Sequence, residues 1–323
     1  MTRPPLVTCG VTAFNAAATI ERAINSVLSQ TWPEIEIVVA DDASTDSTPE
    51  ILARLAKADS RIRVFRMDCN GGAARSRNRI LAEARGEFVA FFDDDDASHP
   101  DRVRLQLQRL TEYERNFAGG AAVICHTARR VRYPDGRARL EGTMGEIEGR
   151  AAPYGLAVAR RILIGTPLEN GYGACPTCSQ FARLATYRLI GGFDPELRRS
   201  EDTDFNIRLA IAGGHFVGIA QPLVTQFMTP TSDKSLDAEF DCHTRILAKY
   251  RHMLDADRQY HFCQGWMHAK NLWLKGWQLS LLATLLGLCL AHPILFSRRL
   301  WQARRHISSN LAFRRFHRLE RQS

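Results

Sequence analysis

Hydrophobic and polar positions follow two alternating rhythms through the first third of the chain. Runs rich in β-branched and apolar residues at Leu6 to Ala13, Ile35 to Ala40, Arg61 to Met67 and Phe88 to Phe92 predict strands of a buried sheet. Between the first two, Ile20, Ala23, Ile24, Val27 and Leu28 fall at spacings of three and four, which predicts a helix with one apolar face. A second helix opens at Ser47-Thr48-Pro49-Glu50, where the spacing is that of a capping box with Pro inside the first turn. A third runs from Ala73 to Ala84, after the turn Asn70-Gly71-Gly72. Strand and helix in strict alternation predict an α/β fold, a mostly parallel sheet with right-handed crossovers and flanking helices.

The fourth predicted strand ends in Phe91-Phe92-Asp93-Asp94-Asp95-Asp96. Four consecutive carboxylates repel one another unless a positive charge sits among them, and a hard divalent cation such as Mg²⁺ or Mn²⁺ accepts oxygen ligands. The plainer reading is a solvated acidic loop before a helix that starts near Ser98-His99-Pro100-Asp101. The second strand also ends in acids, Asp41-Asp42. Ligands of parallel sheets bind outside the carboxyl ends of the strands, so two acidic clusters are expected at one ligand edge. Neither G-x-G-x-x-G nor G-x-x-x-x-G-K-[ST] occurs, which disfavours a dinucleotide oxidoreductase or a P-loop NTPase. A nucleotide diphosphate held through a metal by carboxylates fits better.

Six segments in order carry a resemblance. They are Thr12-Ala13-Phe14-Asn15, Gln30 to Asp46, Asn70-Gly71-Gly72 with Arg77-Asn78, Phe92 to Asp96 with Pro100, Gly191-Gly192-Phe193-Asp194, and Glu201-Asp202-Thr203-Asp204. Together they resemble the family 2 inverting glycosyltransferases of GT-A fold, across roughly residues 6 to 230. The resemblance implies that Thr12, Phe14, Asn15 and Arg77 line a nucleotide pocket and that Asp42 accepts a hydrogen bond from a uracil-type base. It implies that Asp93 and Asp95 are a DxD pair touching ribose and metal, with Asp95 the direct ligand and Asp94 and Asp96 in supporting roles. Asp202 would be the base that takes the acceptor hydroxyl's proton, with Glu201 and Asp204 beside it on the acceptor side. Asp202 is expected just ahead of a helix from Phe205 to Ala212, where an N-cap is the plainer alternative. Processive members carry QxxRW after the base, and none occurs between Asp202 and the later apolar stretch. A non-processive hexosyltransferase using a UDP-sugar donor and a glycan or lipid-linked acceptor is expected.

Charge changes the picture only at the C-terminus. Of the chain's net +8, the last 27 residues hold eight arginines against the single acid Glu320, a net +7. The body is therefore near neutral, which argues against nucleic acid as a partner. Leu279 to Phe296 carries no formal charge but is interrupted by His292-Pro293, with Trp273, Trp277, Lys270 and Lys275 before it and Arg298, Arg299 and Trp301 after it. Such flanks suit a headgroup layer and predict an in-plane or re-entrant segment with a basic amphipathic tail on an anionic membrane surface. The alternative is a helical hairpin packed on the catalytic domain. The expected organisation is a GT-A domain at 1–230, a helical linker region at 231–276, and the apolar segment with its tail at 277–323. Thr231-Ser232-Asp233-Lys234 reads as a loop able to close over the site.

The N-terminus leads directly into the first strand, so no secretory signal is expected. The eight cysteines are read as reduced thiols of an enzyme at the cytoplasmic face of the membrane, peripheral or monotopic. Cys175-Pro176-Thr177-Cys178 is a lone CxxC without the second pair of a zinc site. Two rival functions stay open: a metal-dependent nucleotidyltransferase, which would carry a basic glycine-rich loop near the first strand, and a non-catalytic nucleotide-sugar binding protein.

Overall fold

A computed structural model describes residues 3–229, 236–254, 257–303, 311–312 and 314–315. The chain divides into two units, residues 1–159 with 168–229, and residues 160–167 with 230–323.

The first unit begins with strands β1 (Val7–Ala13), β2 (Ile35–Asp41), β3 (Ile62–Arg66) and β4 (Phe88–Asp93), parallel in the order β3-β2-β1-β4. Helices α1 (Ile20–Leu28), α2 (Thr48–Ala58) and α3 (Ala73–Glu83) make the crossovers. All seven residues of β2 are buried, as a strand covered on both faces requires. Helix α1 buries Ile20, Ala23, Ile24 and Val27, the face predicted from their spacing. The capping box does not form: Ser47 makes no side-chain cap, and the Asp46 carboxylate accepts the Thr48 N–H at 3.0 Å instead. The charged Asp46 carboxylate thus serves the first free amide of the helix, at Thr48, rather than the Glu50 amide that a capping box would reach.

After β4 come β5 (Ala97–Ser98), α4 (Arg102–Asn116), β6 (Val123–Arg132), β7 (Ala138–Glu141), α5 (Gly155–Ile164), β8 (Phe181–Arg183), α6 (Leu184–Ile190), α7 (Glu201–Ile211) and β9 (His215–Phe227). The sheet continues from β4 as β8-β6-β9-β5, with β7 paired to β6. Strand β8 is antiparallel to both β4 and β6, whereas β9 is parallel to β6. The parallel half thus passes into a mixed half through three-residue β8.

Arg102 fixes that seam. Its side chain is fully buried and donates to the Phe91 carbonyl at 2.8 Å, Ser98 Oγ at 2.9 Å and Gln106 Oε1 at 3.0 Å, with its guanidinium 4.3 Å from the Phe92 ring centroid. One side chain therefore ties the end of β4, strand β5 and helix α4 together, and the acidic loop hangs between them. At the opposite end of β1, buried Glu36 accepts from Thr8 Oγ1 at 2.6 Å, the Arg85 amide at 2.7 Å and Arg63 at 3.0 Å.

The second unit contains α8 (Leu236–Lys249), α9 (Asp257–Lys275), α10 (Gln278–Ala291) and α11 (Pro293–Ala303). Leu288 of α10 packs with Leu247, Tyr260, Phe262 and Cys263, and Leu281 packs with Ala269 and Leu272. Helices α8, α9 and α10 therefore share a core across the expected boundary at 276/277. No helix among the described residues is long and apolar enough to cross a membrane. The loop Thr231 to Lys234 and most of the arginine-rich tail lie outside the described residues.

His126 of β6 is fully buried, and that burial, reinforced by the positive charges of Arg129 and Arg102, pushes its imidazole down to about 3. The unfolded chain takes up a proton below about pH 6.5 that the folded chain refuses, so this group lowers stability as pH falls through that value. The loss at pH 5 is on the order of 2 kcal/mol. Urea midpoints of the wild type and His126→Gln, compared at pH 7 and pH 5, should show a markedly smaller pH dependence in the variant. An equal dependence would mean another group carries the effect.

Candidate active site

The site is built at the carboxyl ends of β1, β2 and β4 and at the start of α7. Three non-glycine residues there hold left-handed backbone: Asn15 (φ 48°), Ala43 (φ 60°) and Ser200 (φ 59°). Such conformations cost about 1–2 kcal/mol each for an ordinary side chain and persist only where surroundings over-determine them. The surroundings here are visible. The Asn15 amide donates to Ser44 Oγ at 2.9 Å, and Asn15 Oδ1 accepts the Thr45 N–H at 2.8 Å, locking the loop after β1 to the loop after β2. The Phe14 amide donates to Asp94 Oδ2 at 2.9 Å, which ties the same loop to the acidic run, while the Phe14 ring is 41% exposed. Thr12 lies on β1 opposite Ala40 and Asp93.

Asp42 is buried, and its two carboxylate oxygens accept the Gly71 and Gly72 amides, each at 2.8 Å. The carboxylate that the resemblance assigns to a base thus also shapes the turn ahead of α3. That turn presents Arg77 and Asn78. Asn78 accepts the Phe193 amide at 2.8 Å and donates to the Phe193 carbonyl at 2.7 Å. Arg77 is buried and donates to Asp93 at 3.2 Å on one side and to Glu201 on the other. Burial works against its charge, but Glu201, Asp93 and Asp202 more than offset it, pushing the guanidinium further up. The consequence is a fixed positive charge joining the β4 end to the α7 start.

The four consecutive acids separate. Asp93 meets Arg77, and Asp94 meets the Phe14 amide. Asp95 Oδ2 accepts Thr229 Oγ1 at 2.6 Å, and its carbonyl accepts from Arg22. Asp96 is buried, with Oδ1 accepting the Phe227 amide at 3.1 Å and Oδ2 lacking any hydrogen-bond partner. Burial, with the charges of Asp93 and Asp95, pushes the Asp96 carboxyl well up. Ligand atoms of Asp93, Asp96 and Cys178 lie within 4.8 Å of one another. The orphaned Asp96 oxygen beside Asp93 fits a hard divalent cation, whereas burial pushes the Cys178 thiol well up and makes it a poor ligand for such an ion. Cys178 reaches the two carboxylates from the turn Thr177–Ser179, just ahead of β8, and the lone CxxC gave no sign of that meeting.

Helix α7 starts at Glu201, four residues earlier than its apolar pattern suggests, with Ser200 as N-cap. Asp202 lies in the first turn, partly exposed, its Oδ1 accepting the Thr203 amide at 2.6 Å. Glu201 is buried against Arg77. Asp204 is fully buried and paired with Arg208 at 2.8 Å, and Arg208 also donates to the carbonyls of Ile190 and Gly192. It braces the Gly191-Gly192 turn, which removes it from reach of an acceptor.

Residues 8–184 match the profile described as Glycosyl transferase family 2. The putative teichuronic acid biosynthesis glycosyltransferase TuaG of Bacillus subtilis is 42% identical over 108 residues, 33% of this chain and 43% of that protein. The hyaluronan synthase of Pasteurella multocida is 33% identical over 212 residues, 65% of this chain and 19% of that protein. The chain therefore spans less than half the length of these relatives. The S. aureus TarS 1–349 structure in complex with UDP-GlcNAc shares the fold, with a TM-score of 0.54 at 18% identity over 83% of this chain and 72% of that one. The family profile covers more than half of the residues, and the chain belongs to glycosyl transferase family 2.

Proposed function

We propose that the protein is a metal-dependent inverting glycosyltransferase. It moves one hexose, non-processively, from a UDP-sugar to a hydroxyl of a glycan or lipid-linked acceptor in cell-surface polysaccharide or glycolipid synthesis, at the cytoplasmic face of the membrane. The observation that carries this reading is the buried Arg77, which joins Asp93 at the end of β4 to Glu201 beside Asp202 on α7. Donor-side acids and a candidate base are then held at one edge of the sheet. TuaG and the hyaluronan synthase are named for polysaccharide synthesis, and TarS is seen with UDP-GlcNAc, which supports the donor and pathway classes.

Asp42 and the Gly71-Gly72 turn, with Thr12, Phe14 and Asn15, form the cradle for nucleoside and diphosphate. Asp42 keeps lone pairs beyond its two amide bonds with which to meet a ring N–H. Asp93 and Asp95 would hold a Mg²⁺ or Mn²⁺ ion, with the Asp96 carboxylate close to Asp93, and the ion would supply charge neutralisation for the departing diphosphate. Asp202, partly exposed at the start of α7, takes the proton of the acceptor hydroxyl as its oxygen attacks the anomeric carbon. A single displacement of this kind inverts the configuration and needs no covalent nucleophile.

Two substitutions separate the roles. Asp202→Asn should keep donor affinity and lower turnover by roughly a hundredfold or more, the ordinary worth of a positioned base. Near-normal turnover would move the base elsewhere. Asp95→Asn should abolish the Mn²⁺-dependent part of nucleoside diphosphate binding, read by calorimetry with and without the ion. Unchanged metal-linked affinity would remove Asp95 from the cation site and leave Asp93 and Asp96 as its carboxylates.

A further inference from the structure

The outer face of α10 is unusual for a helix in water. Leu279, Leu282, Leu286 and Leu290, at spacings of three and four, and Ile294 at the start of α11 are between 62% and 85% exposed. The inner face is apolar too, and it is already used: Leu281 and Leu288 pack on α9, and a Cβ placed on Gly265 of α9 would meet Leu288 at 2.6 Å. The helix is clamped at its end, where Arg258 donates to the Ala291 carbonyl at 2.8 Å. A helix apolar on all sides, held by one side and bare on the other, is expected where the bare side meets something other than water.

Charge identifies that surface. Between Arg258 and Leu319 there are ten Lys and Arg and not one Asp or Glu. Lys275 is paired with Asp237 of α8, while Arg298 and Arg315 are exposed. Exposed Trp277 and Trp301 flank the leucine face at its two ends. A protein partner is ordinarily met by mixed charge, whereas apolar area bracketed by tryptophan and arginine matches the boundary of an anionic bilayer. Length decides between spanning and lying flat. The 14 residues of α10 reach about 21 Å, short of the roughly 30 Å hydrocarbon core, and His292 breaks the helix before Pro293.

We infer that α10 and the start of α11 form a monotopic docking face, lying in the plane of an anionic membrane with Leu279, Leu282, Leu286, Leu290 and Ile294 inserted and Trp277 and Trp301 at headgroup depth. The inference deepens the proposed placement at the membrane and does not depend on the transfer chemistry.

Flotation tests it. The full chain, freed of detergent, is mixed with vesicles of phosphatidylcholine alone or with phosphatidylglycerol, at low and at molar salt, and UDP binding is measured on the same preparations. The wild type should float with the anionic vesicles and remain partly bound in molar salt, since the apolar contribution is not screened. Leu286→Gln with Leu290→Gln, both exposed, should retain UDP binding and lose vesicle partitioning by roughly tenfold or more. Lipids brominated near the headgroup should quench tryptophan more than lipids brominated near the chain ends, and Trp277→Phe with Trp301→Phe should remove most of that difference. Wild type left at the bottom of the gradient, or a leucine variant that floats unchanged, overturns the inference. So does a dimer in light scattering that the leucine variant dissolves without any vesicle binding, because a second copy would then cover the face. Loss of UDP binding in wild type would strike the transfer reading and leave the docking result standing.

Discussion

Arg77 lies buried between two carboxylates that come from distant parts of the chain, Asp93 at the end of β4 and Glu201 at the start of α7. Desolvating a guanidinium is expensive, and removing either partner of a buried ion network commonly costs 3–5 kcal/mol, so the three groups stand or fall together. Asn78, one residue on, grips both backbone groups of Phe193, and Arg77 also sits 5.7 Å from the Phe193 ring centroid. The second turn of α3 therefore positions the parallel half of the sheet, the Gly191-Gly192 turn and the acid-rich opening of α7 relative to one another. Asp202 owes its place to that arrangement.

The strained backbone at Asn15, Ala43 and Ser200 fits the same account. Each residue stands where a strand hands over to a loop or a helix begins, and the hydrogen bonds of Ser44, Thr45 and Asp94 hold the first two loops against their preferred conformations. Such loops are built before any ligand arrives, so that less ordering remains to be done on binding. Asp42 shows how the parts interlock, since its carboxylate shapes the turn before α3 while its backbone amide donates to the Ala13 carbonyl at the end of β1.

Much of this was legible in the chain. Continuous apolar runs marked the four parallel strands, because burial on both faces leaves little room for polar residues, and spacings of three and four marked α1. The acidic clusters marked the ligand edge, since a parallel sheet gathers its strand ends there. What pattern could not give was long-range pairing. Nothing in Phe181–Arg183 signals that three residues run antiparallel between β4 and β6, and so nothing signals that Cys178 meets Asp93 and Asp96. The start of α7 was also obscured, because Glu201 and Asp202 are polar and their helical state depends on Ser200 and Arg77. Asp204 looked like a partner of Asp202 until its burial against Arg208 gave it a bracing role. In the second unit, the lack of charge in α10 was plain, but the division between a face spent on α9 and a bare face required the packing.

The claim that one guanidinium couples donor side to base is tested most directly by Arg77→Lys. Lysine keeps the charge but lacks the planar fork that reaches two carboxylates at once. Release of nucleoside diphosphate from a UDP-sugar, measured on protein shown by circular dichroism to be folded, should fall by roughly a hundredfold or more, the scale on which misplacement of catalytic groups acts. Wild-type turnover in a folded Arg77→Lys enzyme would contradict the account.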